Sequence, residues 1–347
     1  MRHVNIPVFI PHLGCPHDCV FCNQRTISGK TNFDINAVDD EISNALNTID
    51  INECDVEIAF FGGSFTGIDH ADMIQLLSVA DKYIKTGHVS SVRVSTRPDY
   101  INDEILTILK QYNVGTIELG IQCLNDEVLQ KCKRGHTVRQ ALDACHFVKR
   151  YGFNLIGQMM TGLPSASSDD EVNTAKTLCE TGVNGARIYP TVVFHGTELA
   201  AMTDNGFYNN LTADEIIDRT SNVFAVFAEN NIPVIRIGLC ASDNLYSDSG
   251  IHSGNYHPAI GELVINDFYY KLIAAKLDKL NLDGSDIVIY CPKGAVSKVI
   301  GQKRRNKLKM QREYNVKNVK VIENESILDY NIDIDINFNN KGESVCV

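Results

Sequence analysis

Three cysteines lie within eight positions near the start of the chain, in the stretch HLGCPHDCVFCNQ. Cys15, Cys19 and Cys22 are spaced as CxxxCxxC, and no second cysteine pair follows nearby. A structural zinc site needs four closed ligands, so zinc would require His12 or His17 as the fourth. Three thiolates from one loop also suit an iron–sulfur cluster that keeps one iron free of protein ligands. That iron could accept a ligand from outside the protein.

Composition places these cysteines in an ordinary folded protein. The chain has 347 residues, of which 44% are apolar and 22% charged, and no run approaches the length needed to cross a bilayer. The start has no signal-peptide pattern, so we expect a cytoplasmic protein. The other eight cysteines occur singly, as buried apolar side chains of a reducing compartment do. The net charge of −11 argues against non-specific nucleic-acid binding by the molecule as a whole.

Short apolar runs alternate with amphipathic stretches from residue 55 to about 237, which predicts repeated βα units. With an earlier strand at 4–12, the alternation gives six or seven units, and hence a partial (β/α)6-type parallel barrel of α/β class. Such barrels carry their active sites at the carboxyl ends of the strands. The expected strands are 4–12, 55–62, 90–96, 115–122, 153–160, 185–190 and 233–238.

The cysteines follow the first of these strands, and other polar or glycine residues follow the next ones. Gly62 and Gly63 end the second strand, Arg97 follows the third, Gln122 ends the fourth and Gln158 lies near the end of the fifth. Since the ends of parallel strands meet at one rim, these residues are expected to share a site.

Eight stretches together resemble the radical S-adenosylmethionine (radical SAM) domain of the Elongator catalytic subunit (Elp3) family, over residues 4 to about 238. They are GCPHDCVFCNQ, FFGGSFTG, STRPDYI, IELGIQCLNDEVL, KRGHT, GLPSAS, RIYPTVVFHGTEL and VIRI. The resemblance implies a [4Fe–4S] cluster on the three cysteines and S-adenosylmethionine (SAM) held at Gly62 and Gly63. It also implies that four further residues face SAM or the substrate, namely Arg97, Gln122, Arg134 and Gln158.

The resemblance has two limits. The family usually has an acid where Ser95 stands, and nothing here resembles the acetyltransferase domain that follows in that family. The implied chemistry is reductive cleavage of SAM to a 5′-deoxyadenosyl radical, with an electron from a reductant protein such as flavodoxin or ferredoxin. Because nothing resembles that second domain, transfer of the full Elongator reaction, carboxymethylation of the wobble uridine of tRNA, is in doubt.

After residue 238 the pattern changes, and we expect three segments: the barrel at 1–238, a loop and helix covering its mouth at 239–280, and a small domain at 281–347. The loop is rich in Ser, Gly, Asn and His. It offers Tyr256, His257 and Glu262 as substrate contacts or proton donors, with a plain polar surface loop as the equal alternative.

Part of the last segment is strongly basic, although the chain as a whole is acidic. Residues 298–320 contain nine Lys or Arg and one acid, Glu313. Their expected order, strand–helix–turn–helix–strand, resembles the βααβ core of a KH domain, in which a GxxG turn clamps a nucleic-acid backbone. Here Arg304 replaces the final glycine. The alternative is a solvated basic helix. The residues expected to contact nucleic acid are Lys298, Gln302, Lys303, Arg304 and Arg305.

Three hypotheses follow. The first is a radical SAM enzyme that acts on RNA, with tRNA as the favoured substrate. The second is a radical SAM enzyme with a small-molecule or peptide substrate, and the third is a non-catalytic RNA-binding regulator that holds a cluster and SAM. The intact cysteine triplet and rim favour catalysis over the third.

Overall fold

A computed structural model describes residues 2–10, 14–15, 19–28, 33–240, 243–248, 250–278, 280, 282, 284–337 and 344–346. Its strands, in chain order, are β1 Arg2–Phe9, β2 Cys54–Phe61, β3 Ser91–Thr96, β4 Val114–Gln122, β5 Asn154–Thr161, β6 Gly185–Pro190, β7 Val193–Phe194, β8 Val234–Ile237, β9 Ile251–Ser253, β10 Asp286–Cys291, β11 Asn318–Glu323, β12 Asp333–Asn337 and β13 Ser344–Cys346. Its α-helices are α1 Gln24–Ser28, α2 Val38–Leu46, α3 His70–Lys85, α4 Asp103–Gln111, α5 Asp126–Lys131, α6 Val138–Arg150, α7 Ser168–Glu180, α8 Glu198–Asp204, α9 Ala213–Glu229, α10 Ile260–Leu277, α11 Val296–Ile300 and α12 Arg305–Glu313.

Seven strands form one parallel sheet in the order β1-β2-β3-β4-β5-β6-β8. Every pairing in it is parallel. Each expected strand is present with bounds that differ from the expected ones by at most three residues, and residues 11–12 of the first lie outside the described residues. The partial parallel barrel is therefore confirmed. Because neighbouring strands of a parallel sheet need a crossover, helices lie between them in sequence and the carboxyl ends of all seven strands share one edge.

Local sequence fixes where several of these helices begin. Six side chains accept hydrogen bonds from the first free backbone N–H groups of an α-helix: Asp69, Asn102, Asn125, Thr137, Ser167 and Thr197. Each such cap contributes roughly 1 kcal/mol to the helix it starts. The strand ends that precede these helices are thereby held at defined places on the rim.

Alternation along the strands divides apolar from polar side chains. Val92, Val94, Ile117 and Leu119 are fully buried, whereas the residues between them, such as Glu118, bond across strands to other polar side chains. Successive residues of a strand point to opposite faces. One face of the sheet therefore packs apolar side chains, and the other carries a polar lining.

The chain divides into two compact units. The barrel unit comprises Met1–Thr212 and Asn230–Tyr256, and the C-terminal unit comprises Ala213–Glu229 and His257–Val347. The three segments expected from the sequence remain a prediction beside this coarser division. In the C-terminal unit, four strands form a sheet in the order β11-β10-β12-β13, with β10 and β11 parallel. No helix among the described residues is long and apolar enough to span a membrane.

Candidate functional site at the carboxyl ends of the barrel strands

The second half of the cysteine loop is anchored by backbone hydrogen bonds. Cys22 N donates to Cys19 O at 3.0 Å, which closes a tight turn between these two cysteines. Val20 lies inside this turn, and its N–H donates to Cys132 O at 3.2 Å while its carbonyl accepts from Leu199 N at 2.8 Å. The turn is therefore tied to the end of α5 and to the start of α8.

The three thiols lie close enough together that neighbouring cysteines affect the ionisation of Cys15 and Cys22. Burial raises the pKa of the Cys22 thiol to about 12, and Cys19 and Cys15 add to this rise. Burial and Cys19 also raise the pKa of Cys15, which Arg97 and Arg134 oppose. A bound metal deprotonates the thiols that coordinate it. The thiols of Cys15 and Cys22 therefore favour the protonated form more than a free cysteine does, and a bound metal would overcome this preference.

Two glycines allow the cysteine loop and the glycine-rich segment after β2 to lie in close contact. A Cβ placed on Gly14 would lie 2.2 Å from Ser64 O, and one on Gly67 would lie 2.4 Å from Gly14 O. Gly14 also has φ of +72°, a left-handed conformation that favours glycine. This mutual contact places Cys15 beside the turn that carries Gly62 and Gly63.

The contact predicts a large effect for Gly14→Ala. We expect this variant to lose most of its capacity to hold iron and sulfide, because the added methyl group must displace the backbone of the neighbouring loop. Gly196→Ala is the matched control, since Gly196 has the same φ of +72° but nothing within 4 Å of the added Cβ. The control should lose only about 1–2 kcal/mol of stability from its backbone conformation. Iron and sulfide analysis after reconstitution checks the prediction, and equal metal contents in the two variants would refute it.

Two buried arginines face the cysteines. Arg134 donates from Nη1 to Cys19 Sγ at 3.2 Å and from Nη2 to Gly120 O at 2.6 Å. Arg97 binds both carboxylate oxygens of Asp99, at 2.9 and 3.0 Å, and its Nη2 also donates to Arg134 O. Arg97 is thus linked through its guanidinium group to the backbone of Arg134, whose own guanidinium group reaches β4.

Each arginine keeps one unused donor. Arg97 Nη1 and Arg134 Nε are buried and have no hydrogen-bond partner among the described residues. Buried donors are nearly always paired in folded proteins, so these two unused donors indicate that an acceptor binds near the arginines. A carboxylate matches the planar N–H donors of arginine well. These residues therefore fit the carboxylate end of SAM.

The cysteine triplet stays a predicted site for a cluster, with a zinc ion as the alternative. Among the described residues, no group of three His, Cys, Asp or Glu side chains is placed to hold one metal ion. A four-iron cluster instead spreads three cysteine ligands over three different iron atoms. His12 and His17, the histidines considered for zinc, lie outside the described residues.

A row of hydroxyl groups, not singled out in the sequence, orients Arg97. Ser64 Oγ and Thr66 Oγ1 lie 2.8 and 2.6 Å from Thr96 Oγ1, and Arg97 N donates to Ser64 Oγ at 3.2 Å. Ser64 and Thr96 are buried. The network joins the segment after β2 to the end of β3, and only the motif FFGGSFTG itself hinted at it.

Gln122 and Gln158, both expected to face SAM or the substrate, lie in different surroundings. Gln122 has a left-handed backbone with φ of +67°. A Cβ placed on Gly120 would lie 3.1 Å from Gln122 Nε2 and 3.2 Å from Arg134 Nη2, so both side chains lie over this glycine. Gln158 Nε2 donates to Glu118 Oε2 at 2.8 Å and to Ser95 Oγ at 3.2 Å. Gln122 thus lies beside the arginines, and Gln158 belongs to the polar lining of the sheet.

That lining is a buried ion-pair network. Glu118 is fully buried and accepts from Arg93 Nη1 at 2.9 Å and from Arg187 Nη2 at 3.0 Å. Arg93 also binds Glu57 Oε2, at 2.7 Å. Four strands, β2, β3, β4 and β6, are joined in this way. Sequence reasoning missed the network, although a charged residue inside each apolar strand was a visible sign of it.

The three expected catalytic candidates separate between the units. Tyr256 belongs to the barrel unit, where its ring meets that of Tyr246 edge-on at 5.8 Å. His257 and Glu262 belong to the C-terminal unit. His257 Nδ1 accepts from Ala259 N at 3.0 Å just before α10, and Glu262 lies in the first turn of that helix. All three residues stay predicted substrate contacts or proton donors, and Tyr256 is the one that belongs to the barrel unit.

The basic turn of the C-terminal unit has the expected element order, with α11 and α12 between parallel strands β10 and β11. Gly301 has φ of +78°, and Lys303 and Arg304 both adopt left-handed conformations. Lys303 and Arg304 are exposed, whereas Arg305 pairs with Asp214 at 2.8 Å. Buried Asn306 donates to Asn266 O at 2.7 Å and to Val299 O at 3.1 Å, which holds α12 against α10 and α11.

Comparison with known proteins identifies the class to which this site belongs. The family model of the radical SAM superfamily matches residues 9–178, and that of the radical SAM C-terminal domain matches residues 183–269. Together these ranges cover well over half of the chain. The chain therefore belongs to the radical SAM superfamily.

Within that superfamily the chain is similar to Elongator catalytic subunits. It is 29% identical to Elongator complex protein 3 of Saccharomyces cerevisiae over 138 residues, which are 39% of this chain and 25% of that protein. It is also 29% identical to an uncharacterized protein of Methanocaldococcus jannaschii over 69% of this chain and 76% of that one. The chain thus spans about a quarter of the Elongator proteins it matches and most of the archaeal protein.

Solved structures show the same fold. The Elp3 protein of Methanocaldococcus infernus, lacking its N-terminal residues, matches 79% of this chain and 63% of its own with a TM-score of 0.59 and 20% identity. SuiB of Streptococcus suis, solved with SAM bound, matches 70% of this chain and 52% of its own with a TM-score of 0.51 and 12% identity. The Elongator-like radical SAM fold expected from the sequence is confirmed.

Proposed function

We propose that this protein is a radical SAM enzyme that modifies RNA, with tRNA as the favoured substrate. Its cysteines, Cys15, Cys19 and Cys22, would hold a [4Fe–4S] cluster, at which SAM is cleaved reductively to a 5′-deoxyadenosyl radical. The electron would come from a reductant protein of the flavodoxin or ferredoxin type. The barrel would position the substrate and exclude water from the reactive species.

One observation carries the proposal: two buried arginines with unused donors lie against the cysteine loop. Arg97 and Arg134 would bind the carboxylate of SAM, and Gly62 and Gly63 would expose backbone groups to its amino group. Gln122 lies next to Arg134 and would contact the rest of SAM. Tyr256 is the proposed substrate contact in the barrel unit.

A basic surface supports RNA as the substrate class. Lys303 and Arg304 extend from the turn between α11 and α12 in a chain that is acidic elsewhere. No carboxylate pairs with either of them among the described residues. Both residues have left-handed backbones. This conformation is costly for residues other than glycine and persists where the surroundings impose it, so the turn is held in a defined shape. The similarity to Elongator proteins agrees with a tRNA substrate.

The test is an anaerobic assay of the reconstituted protein with SAM, a strong reductant and tRNA. We expect 5′-deoxyadenosine to form, and the nucleosides of tRNA from cells lacking the protein to differ by mass spectrometry. Bound cluster and SAM without any 5′-deoxyadenosine would contradict an enzyme and leave the regulator hypothesis. SAM cleavage with an unchanged nucleoside profile would favour a small-molecule or peptide substrate.

RNA binding has its own prediction. Replacing Lys303, Arg304 and Arg305 by glutamate should weaken tRNA binding by at least about tenfold at moderate salt. Each lost phosphate contact should also reduce the slope of log Kd against log salt by about 1. Fluorescence anisotropy over a range of salt concentrations measures both quantities.

A charge-matched control separates this surface from net charge. Lys85, Lys110 and Lys176 are exposed residues of the barrel unit, and their replacement by glutamate changes the net charge by the same amount. This control should alter tRNA binding much less. If the two triple variants bind tRNA equally well, the basic turn is not the RNA contact.

A further inference from the structure

Arg134 makes a contact that SAM binding does not require. Its Nη1 donates to Cys19 Sγ at 3.2 Å across 115 residues of sequence. Arg134 is 6% exposed and Cys19 is 7% exposed, so water does not compete for this bond. Hydrogen bonds to buried sulfur ligands are one of the ways in which proteins set the reduction potential of an iron–sulfur cluster.

The position of the guanidinium group is fixed independently of the sulfur. Arg134 N donates to Leu129 O at 2.9 Å, which closes the end of α5, and Lys133 before it takes a left-handed conformation. The Arg134 carbonyl accepts from Arg97, and Nη2 donates to Gly120 O on β4. The backbone and one arm of the fork are thus held by other parts of the barrel, and the second arm is directed at Cys19.

We propose that Arg134 tunes the cluster through its N–H···S bond to Cys19 and thereby raises the reduction potential of the cluster. The inference rests on the proposed cluster site. Reduction adds negative charge to the cluster, and a buried cation that donates a hydrogen bond to a ligand sulfur stabilises the reduced form more than the oxidised form. The electron from the reductant protein is then accepted more readily. Arg134 is a positioning and tuning residue in this role, because it acts through Cys19.

Arg97 provides an internal comparison. It lies in the same pair of arginines, carries the same charge and also influences Cys15. The described hydrogen bonds of its side chain go to Asp99 and to the Arg134 carbonyl, and none goes to a sulfur. Removing Arg97 therefore removes a nearby positive charge and keeps the N–H···S bond. Removing Arg134 removes both.

The experiment compares three variants, Arg134→Lys, Arg134→Gln and Arg97→Gln, by redox titration of the reconstituted protein without SAM, followed by electron paramagnetic resonance. Arg134→Gln should shift the potential to more negative values by a larger amount than Arg97→Gln. Arg134→Lys keeps the charge but cannot reach both Gly120 O and the sulfur, so its shift should lie between wild type and Arg134→Gln. Potentials of Arg134→Gln and Arg134→Lys equal to that of wild type would overturn the proposal.

A second measurement needs no variant. In the wild-type protein, resonance Raman bands of the iron–cysteine bonds should shift on transfer to D2O, and the shift should be smaller in any Arg134 variant that retains the cluster. Absence of a shift in wild type would also overturn the proposal, even if the variants lose the cluster. Failure of the proposed function would give a different result. No 5′-deoxyadenosine would form, while the reduction potential and the Raman bands could still change in the Arg134 variants.

Discussion

Replacing Cys19 by alanine should abolish both the visible absorbance of the reconstituted cluster and the formation of 5′-deoxyadenosine. Cys19 is the most buried cysteine of the triplet and the one that Arg134 contacts. Two remaining thiols cannot hold a four-iron cluster that already lacks one protein ligand. The expected loss is to the background of each assay. Iron and sulfide analysis, absorbance and chromatography of the products measure it.

Cys179→Ala is the control for this variant. Cys179 is a partly exposed cysteine of α7 with no other cysteine among the groups that shift its pKa. Its replacement should leave the iron content and SAM cleavage near wild type. If the Cys19→Ala variant binds zinc and its iron content equals that of wild type, the triplet is not a cluster site. Equal losses in the two variants would point to general unfolding instead.

Replacing Glu118 by glutamine should cost about 3–5 kcal/mol of stability, because it leaves buried cations without their counter-charge. Glu118 is fully buried between Arg93 and Arg187. Arg93 keeps Glu57 as a partner, whereas Glu118 is the only acid that pairs with Arg187 among the described residues. Urea unfolding followed by circular dichroism, with linear extrapolation to water, measures the loss.

Asp143→Asn provides the matched control for a change of the same kind at the surface. Asp143 pairs with Arg139 one turn earlier on α6 at 3.7 Å, and both side chains are exposed. Such pairs contribute about 0–1 kcal/mol. The two substitutions each remove one carboxylate charge with little change of shape. Similar losses in both variants would show that the buried network does not hold the strands together.

The strands of the parallel sheet and most of their bounds followed from the alternation of apolar and amphipathic runs alone. Runs such as 115–122 and 185–190 are rich in β-branched and apolar residues, and each precedes an amphipathic stretch with a capping residue at its start. In these segments the residues favour a strand locally and are apolar enough to be buried in a sheet, so both properties predict the same element. A parallel sheet with its site at one edge was therefore predictable.

The members of the site were predictable in part. The cysteine triplet, Gly62 and Gly63 stand out because spacing and glycine pairs are visible in a linear sequence. Arg97 was placed at the rim because it follows the third expected strand, and Arg134 was found through resemblance. Gly14, in contrast, gave no signal, since its need for a missing side chain arises only where Ser64 and Gly67 approach it from another loop.

The buried ion-pair network of the sheet could not be predicted from the sequence. Glu57, Arg93, Glu118 and Arg187 are single charges inside four separate apolar runs, and each would destabilise the sheet if it were buried alone. Only the register of β2, β3, β4 and β6 brings opposite charges together. A sequence pattern cannot give that register, because pairing depends on how the whole sheet closes.

By itself, the sequence determined the parallel barrel fold and a triplet of cysteines one ligand short of a closed metal site, because period and spacing are local properties. The tertiary structure decided what surrounds that triplet. It directs one arm of Arg134 at Cys19 and leaves two buried donors unused beside it. Those contacts join residues that are far apart in the chain, so only folding could bring them together.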